Sequence, residues 1–310
     1  MDFLIVSVGR DYSNLGYALE QCLRKVGVDA LALATRRTVT VKPACAKIVN
    51  VDEMRNYAKE AKIIIFLHSV YTDLDIKKNQ KILVWHTGTR FRQHSKDINK
   101  IFNPIVTASL CGRDVFGLGA KNEKNILATV DTDMLKPNYK RANENKIIIA
   151  HYPTGNKGID VIKKCIEEVN KSSFKDKFIF KYSKKIVNSK AHMERVSKCD
   201  IYIEDIKEKQ GDQLLSVYGI SAIEAAALGK IVITRFLFLE EYEKKYGKCG
   251  LQIANTPNEL TQQIKRIISL SDDDLLKLKI QSREWAVRYH SYKAVGESML
   301  KLLHEIGCPL

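Results

Sequence analysis

The chain has 310 residues, of which 45% are hydrophobic and 28% are charged. This length and composition indicate about two globular domains and exclude an intrinsically disordered chain. Lysine and arginine exceed aspartate and glutamate by 51 − 36 = 15, a balance that favours anionic partners such as nucleotide phosphates, an anionic membrane surface or nucleic acid.

Several features indicate where the protein resides. No apolar run reaches the roughly 18 residues that a membrane-spanning helix needs. The first residues enter a strand pattern directly, without the basic segment of a secretory signal. The seven cysteines are scattered and form no C-x-x-C pair, which is typical of free thiols in a reducing compartment. We therefore expect a cytoplasmic protein.

Strand-like and helix-like segments alternate through the first half of the chain. Residues 3–8 have the pattern of a buried strand, and residues 15–26 have apolar side chains at helical spacing. Further apolar runs lie at 28–34, 62–67, 81–85, 104–108 and 124–129, with helical patterns at 53–61 and 110–118. Alternation of this kind predicts a parallel sheet covered on both faces.

A polar stretch at residues 131–145, which contains Pro137, interrupts this alternation and predicts a linker. A second series follows, with strands predicted at 146–151, 177–182, 200–204, 230–234 and 249–253, helices at 158–170, 188–198, 220–228, 238–246 and 257–269, and a helical end at 272–305. The fold class is thus α/β, with two Rossmann-like domains and an inter-domain cleft. We expect an N-terminal domain over 1–140, a C-terminal domain over 146–285, and a final helix over 286–310 that crosses back to the first domain.

The segment from His151 to Gly158 follows a predicted strand and opens a predicted helix. Its small residues allow close approach of a ligand, the helix start offers N–H groups, and Lys157 adds a full charge. These features suit a diphosphate, although an ordinary strand-to-helix turn would have the same pattern.

In the segment from Tyr218 to Ile233, a glycine turn leads into an alanine-rich helix and then a strand. Glu224 lies in an apolar run, where a carboxylate needs a partner. Ribose hydroxyls would provide one. The alternative is a surface glutamate that reaches solvent or a lysine.

Two segments of the first half end predicted strands beside a glycine. His86 precedes Gly88 and Arg90, and could donate to a sugar or phosphate oxygen. Gly16 follows residues suited to cap the first helix and would let a ligand come close. A surface histidine and a plain helix cap are the competing interpretations. Asp131 and Asp133 form an Asp-Thr-Asp triplet at the linker, for which a structural role is favoured over metal binding.

Together these segments resemble the GT-B glycosyltransferases, in the large retaining family (family 4, group 1) that includes many lipopolysaccharide and glycolipid enzymes. The stretch from Asp212 to Ile233 is similar to the family's donor-binding motif, and Lys157-Gly158 to its phosphate loop. His86 to Arg90 resembles a loop of the first domain, and Arg283 to Ser291 the C-terminal helix.

The resemblance implies sugar transfer from a nucleotide-sugar to a hydroxyl acceptor, with retention and without a bound metal or other cofactor. Glu224 would bind the ribose, Lys157 would neutralise the leaving diphosphate, and His86 would face the donor sugar. The other donor-binding positions that it implies are Gly16, His151, Gly155, Gly158, Tyr218, Gly219, Ile220 and Ser221.

The sequence departs from the family pattern at two positions, Ser216 and His151. The family has two glutamates eight positions apart, and the first of them falls on Ser216, with Asp212 as a potential substitute for the contact to the sugar. His151 replaces an arginine of the phosphate loop, and a neutral histidine carries no charge.

Three alternatives stay open. One is a GT-B scaffold that has lost catalysis and binds a nucleotide or a protein partner, which Ser216 favours. Another is a sugar-nucleotide epimerase of the same fold. The third is a nucleic-acid-binding role, which we rank low except for nucleic acid as an acceptor. Basic residues such as Lys96 and Lys100 predict peripheral contact with an anionic membrane that carries the acceptor.

Overall fold

The computed structural model describes residues 1–37, 44–153, 155, 157–210, 213–214 and 218–308. The chain forms two compact units. Unit 1 consists of residues 1–131 and 291–310, and unit 2 of residues 132–290.

The elements are numbered in chain order. The strands are Phe3–Arg10 (β1), Ala30–Arg36 (β2), Lys47–Ile48 (β3), Ile63–Leu67 (β4), Lys81–His86 (β5), Ala108–Cys111 (β6), Glu123–Asn125 (β7), Ile147–His151 (β8), Phe178–Tyr182 (β9), Ile201–Ile203 (β10), Lys209–Gln210 (β11), Gln213–Leu214 (β12), Ile231–Thr234 (β13) and Gln252–Ile253 (β14). The helices are Leu15–Lys25 (α1), Val51–Ala58 (α2), Gly88–Phe102 (α3), Ile159–Asn170 (α4), Ser189–Ser197 (α5), Ile220–Ala227 (α6), Leu239–Tyr246 (α7), Pro257–Ile268 (α8), Asp272–His290 (α9) and Tyr292–Glu305 (α10).

The described part of unit 1 contains a parallel sheet with the strand order β3-β2-β1-β4-β5-β6-β7. The order reverses between β1 and β4. In open α/β sheets, ligands bind outside the carboxyl ends of the strands at such a point of reversal. The loops that follow β1 and β4 are therefore the part of unit 1 where a site is expected.

The end of the chain completes the core of unit 1. Val295 and Met299 of α10 belong to the same buried cluster as Leu19 and Leu23 of α1. The two helices approach closely at Gly296, where a Cβ atom would lie 2.3 Å from the carbonyl oxygen of Cys22. Only glycine allows this contact.

Unit 2 has a parallel sheet with the order β14-β13-β10-β8-β9 within its described residues, and β11 and β12 form a separate antiparallel pair. Here the strand order reverses between β8 and β10. The prediction of an α/β chain with two Rossmann-like sheets is confirmed.

Three segments differ from the sequence prediction. The predicted helix at 110–118 is instead the end of β6 and a short 3₁₀ turn, because a short apolar run does not distinguish strand from helix. The helical end at 272–305 is two helices, since Ser291 leaves the helical conformation and caps α10 by accepting from the N–H of Ala294. Helix α3 was not predicted, because its apolar residues are sparse and His94 interrupts its helical dihedral angles.

A buried lysine and an arginine of unit 2 donate hydrogen bonds to the backbone of the predicted linker. The guanidinium of Arg283 donates to the carbonyl oxygens of Thr132 and Leu135. The ammonium of Lys230, whose pKa burial lowers to about 8, donates to the carbonyl of Asn138 at 2.9 Å. These bonds place the polar segment against the amino ends of the strands of unit 2.

An ion pair lies beneath the same edge of the sheet. The ammonium of Lys279 is 2.8 Å from the carboxylate of Asp200, and the two side chains are 2% and 1% exposed. The other carboxylate oxygen of Asp200 accepts from the N–H of Ile148. Loss of either charge would leave the other buried without compensation.

None of the described helices is both long enough and apolar enough to cross a membrane.

We expect Lys279→Ala to destabilise unit 2 by about 3–5 kcal/mol, because it leaves the carboxylate of Asp200 buried and unpaired. Lys277→Ala is the matched control. It removes a lysine of the same helix that pairs with Asp274 at the same distance of 2.8 Å, but whose side chain is 70% exposed. Chemical denaturation should show a lower midpoint only for the first variant. Equal midpoints would contradict the assigned role of the buried pair.

Candidate functional site

The centre of the site in unit 2 is an ion pair at the point where the strand order reverses. Strand β8 ends at His151, and Lys157 follows in the loop before α4. Strand β10 ends at Ile203, and Glu204 is the next residue. The ammonium of Lys157 contacts the carboxylate of Glu204 and thereby joins the carboxyl ends of two adjacent strands.

Glu204 is 1% exposed and accepts hydrogen bonds from several elements. The hydroxyl of Ser221 donates to Oε1 at 2.9 Å, and the hydroxyl of Thr234 donates to Oε2 at 3.2 Å. The N–H of Gly219 donates to Oε2 at 3.4 Å. The ammonium of Lys157 also donates to the hydroxyl of Ser221 at 3.1 Å. The buried carboxylate is therefore satisfied, as a charge in the interior must be.

The ion pair keeps both partners charged. For Lys157, burial favours the neutral amine, but the charge of Glu204 and its hydrogen bond outweigh burial, so the pKa of Lys157 is raised. For Glu204, burial favours the protonated acid, but the charge and hydrogen bond of Lys157 outweigh burial, so the pKa of Glu204 is lowered.

Asp205 is a second acid at the same place. Burial and the neighbouring charge of Glu204 raise the pKa of Asp205 to about 6. Its carboxylate accepts from the N–H of Lys207 at 2.8 Å. The carboxyl end of β10 thus presents two adjacent carboxyl groups, one of which changes its protonation near neutral pH.

Two helices begin beside this pair. Gly158, at a φ of +77°, precedes α4, and a Cβ atom there would lie 3.0 Å from the backbone nitrogen of Lys207. Gly219 precedes α6, and a Cβ atom there would lie 2.9 Å from Oε1 of Glu204. The N-cap residue of each helix is a glycine without a capping side chain. Apart from the N–H of Gly219, which donates to Glu204, the first N–H groups and the helix dipoles favour an anion at this place.

His151 contributes no charge to the phosphate loop. Its ring is fully buried, Nδ1–H donates to the carbonyl of Ile203 at 2.8 Å, and the ring stacks on Tyr182. Burial lowers the pKa of His151 to about 4, so the imidazole is neutral at pH 7.

The other predicted donor-binding residues of unit 2 fall into two groups. Gly155 is exposed, while Ile220, Ser221 and Glu224 are half-buried on the first turns of α6. Glu224 is close enough to Lys157 for its charge to raise the pKa of that lysine.

Tyr218 is instead part of an aromatic cluster. Its ring meets Phe236, Trp285 and Tyr242 edge to face, and its hydroxyl bonds to His290 at 3.2 Å. Asp212 and Ser216 lie outside the described residues.

In unit 1, Asp11 occupies the start of the first helix. Its carboxylate, 1% exposed, accepts from the N–H groups of Gly16 at 2.8 Å and Tyr17 at 3.0 Å. A Cβ atom at Gly16 would lie 2.9 Å from Cδ1 of Leu67 and 3.2 Å from Oδ2 of Asp11. Packing within unit 1 therefore accounts for this glycine.

The ends of β4 and β5 bring two histidines together with hydroxyl groups. Nδ1 of His68 lies 2.8 Å from the hydroxyl of Thr87, and Nε2 lies 3.6 Å from the carboxylate of Asp11. His86, which the resemblance places at the donor sugar, is fully buried, bonded to Ser69 at 2.9 Å. Burial lowers the pKa of His86 to about 3, so the ring is neutral at pH 7.

The loops that follow β1 and β4 in unit 1 contain residues in the left-handed backbone conformation. Ser13 and Asn14 after β1, and His68 and Ser69 after β4, have φ near +60° without being glycine. Such residues each cost about 1–3 kcal/mol and persist where the surrounding structure holds them. The strain lies at the reversal of strand order, where a functional site is expected.

Sequence reasoning missed Glu204, Asp205, Asp11 and His68. All four directly follow, or come one residue beyond, a predicted or observed strand next to the reversal of strand order. A polar residue at that position is a detectable pattern, but the strand order that makes it meaningful is not visible in one sequence. Among the described residues, no three histidine, cysteine, aspartate or glutamate side chains are grouped to hold a metal.

Comparison with known proteins shows the fold. Neither protein-family models nor curated proteins match the sequence. Among solved structures, sucrose-phosphate synthase from Thermosynechococcus elongatus is 12% identical, with 99% of each chain covered and a TM-score of 0.62. Anabaena HepE, solved with UDP and glucose, is 10% identical, with 98% of this chain and 100% of that chain covered and a TM-score of 0.63. The chain has the GT-B fold.

A third solved structure of this fold belongs to a protein named as a phosphatase. The N-terminal domain of trehalose-6-phosphate phosphatase from Candida albicans is 8% identical, with 98% of this chain and 97% of that chain covered and a TM-score of 0.68. At these identities the GT-B fold is shared, while the chemistry must be argued from the site.

We expect Gly158→Ala to destabilise unit 2 by about 1–3 kcal/mol, because alanine is strained at a positive φ and would press on the backbone of Lys207. Gly155→Ala in the same loop is the control, since nothing lies within 4 Å of a Cβ atom there. Thermal unfolding should separate the two variants. A Gly158→Ala variant as stable as Gly155→Ala would disprove the close approach.

Proposed function

We propose that the protein is a glycosyltransferase that transfers a sugar from a nucleoside diphosphate sugar to a hydroxyl acceptor. The observation that carries the proposal is the position of Lys157. This lysine is held charged at the reversal of strand order in unit 2, beside the starts of α4 and α6.

Negative charge develops on the diphosphate as the bond to the sugar breaks. A fixed cation and oriented N–H groups stabilise that charge in the transition state, and removal of one such group typically costs about 10²–10³ in rate. Lys157 and the first turns of α4 and α6 would supply these groups. His151 is neutral and would position the loop, since its Nδ1–H is fixed to Ile203.

Glu224 and Ser221 lie on the helix that begins beside the lysine. A half-buried glutamate at this place suits a ribose, because its carboxylate can accept hydrogen bonds from the two ribose hydroxyls. We assign Glu224 to the ribose and the N–H groups of Ile220 and Ser221 to the donor phosphates, because the N–H of Gly219 donates to Glu204.

The structural neighbours support a uridine donor as the first to test. HepE was solved with UDP, with UDP and glucose, and with UDP-glucose. Retention of configuration and catalysis without a metal follow from the family resemblance alone and belong to the proposal. The acceptor hydroxyl is proposed to bind unit 1.

One observation favours a second candidate, a GT-B scaffold that binds a nucleotide without transferring the sugar. The charge of Lys157 is already balanced by Glu204 within the protein, which weakens the stabilisation that it can offer a leaving group. Release of nucleoside diphosphate from a bound sugar conjugate separates the two candidates, because only the enzyme releases it.

We expect one nucleoside diphosphate to stabilise the protein in a thermal-shift screen of UDP, GDP, ADP and dTDP and their sugar conjugates. Ligand at about a hundred times its Kd adds about 2.7 kcal/mol, or ~5–10 °C for a unit of this size. Glu224→Ala should reduce the shift, because it removes the proposed partner of the ribose.

Glu167→Ala is the control for this variant, since Glu167 is an exposed glutamate of α4 in the same unit. It should keep the full shift. If no nucleotide shifts the melting temperature of the unaltered protein, the glycosyltransferase proposal is wrong.

A further inference from the structure

The ammonium of Lys157, to which a diphosphate would bind, is already paired with the carboxylate of Glu204. The ammonium of Lys157 has three N–H donors, and the structure directs it to the carboxylate of Glu204 and the hydroxyl of Ser221. The lysine side chain keeps 22% of its exposure, whereas Glu204 keeps 1%. Lys157 is therefore the more accessible partner of the pair, and the carboxylate of Glu204 lies buried behind it.

Bringing a diphosphate to Lys157 places further negative charge next to two carboxyl groups. Like charges within a few ångströms raise the pKa of a carboxyl group, and a partly buried site screens them less than water does. Glu204 would also lose part of the ion pair that keeps it ionised. One of the two acids must then take up a proton, or the site must bear the repulsion.

Besides Lys157, Lys207 is a described cation whose charge lowers the pKa of Asp205. Thr234 of β13 contributes a hydroxyl, and Arg235 contributes its backbone N–H to the carbonyl of Asp205. Among the described residues, the titratable groups whose charges act on the two acids or on Lys157 include His151 at the end of β8, Tyr202 of β10, Lys207, and Glu224 of α6. His151 and Tyr202 are neutral at pH 7, because burial lowers the pKa of the first and raises that of the second.

We propose that the adjacent carboxyl groups of Glu204 and Asp205 form a proton-binding site that takes up one proton when a nucleoside diphosphate binds at Lys157. The proton comes from solvent and remains on the pair, with no covalent change. This inference rests on the proposed nucleotide site and defines what that site binds: the diphosphate and a proton together.

The direction of the pH dependence follows from Asp205. Its pKa of about 6 means that below pH 6 the pair already holds a proton, and binding takes up little more. Above pH 6 the pair is ionised and must gain a proton on binding. The affinity therefore falls as pH rises above about 6, by up to tenfold per pH unit for one full proton.

The test is isothermal titration calorimetry of the full chain with UDP between pH 6 and pH 8. Titration in two buffers without phosphate whose heats of ionisation differ, HEPES and Tris, gives the number of protons taken up. We expect the unaltered protein to take up nearly one proton more than Glu204→Gln at pH 7–8. Glu204→Gln should also bind UDP at least tenfold more tightly at pH 8, because glutamine adds no charge beside the phosphates.

Both proteins bind the same ligand, so the titration of UDP itself cancels in this difference. Glu167→Gln is the control and should behave like the unaltered protein. Asp205→Asn provides a second variant if Glu204→Gln does not fold, and it should also lose the proton uptake. Thermal unfolding of each variant without nucleotide checks that the fold is kept.

Two failures are distinguishable. If UDP binds but the unaltered protein, Glu204→Gln and Asp205→Asn take up the same number of protons, the coupling is wrong while the nucleotide site stands. If neither UDP, GDP, ADP nor dTDP binds the unaltered protein and the Glu167→Gln control, the proposed function is wrong and the coupling with it.

Discussion

The contact between Lys157 and Glu204 determines much of the local structure of unit 2. A carboxylate that is 1% exposed has to collect donors from every side, and it does so from the loop after β8, the start of α6 and strand β13. Gly219 must be glycine because Glu204 fills the space of its Cβ atom. One buried charge thus fixes the loop, the helix start and the strand ends at the place where strand order reverses.

Each unit has a buried carboxylate near its reversal of strand order, and the two carboxylates are bound by different groups. In both, the buried carboxylate follows a strand next to the reversal of strand order and lies beside a helix start. In unit 1, Asp11 accepts from the first N–H groups of α1. In unit 2, Glu204 pairs with a lysine beside a helix start. Asp11 is held by main-chain groups, so its position follows from the helix. Glu204 is paired with Lys157, whose side chain is partly exposed, so a ligand can compete with Glu204 for the lysine.

Much of the fold could be predicted from the sequence, because continuous apolar strands alternate with amphipathic helices over most of the chain. The helix α3 was missed because few of its residues are apolar, and β6 was misplaced because short apolar runs suit both periods. Lys157 and Gly158 were found through a local motif. Glu204 was not found, since its partner is 47 residues away and only the pairing of β8 with β10 brings them together.

The packing of α10 on α1 has a consequence for how the chain is made. Unit 1 is built from two separate segments, residues 1–131 and 291–310, whereas unit 2 is the continuous segment between them, residues 132–290. Domains generally fold as units in the order in which the ribosome releases them. Here residues 1–131 lack Val295 and Met299, which complete the core of unit 1, until α10 has been translated. Unit 2 can reach its native state before α10 is translated, so unit 1 finishes folding after unit 2 although residues 1–131 are synthesised before it.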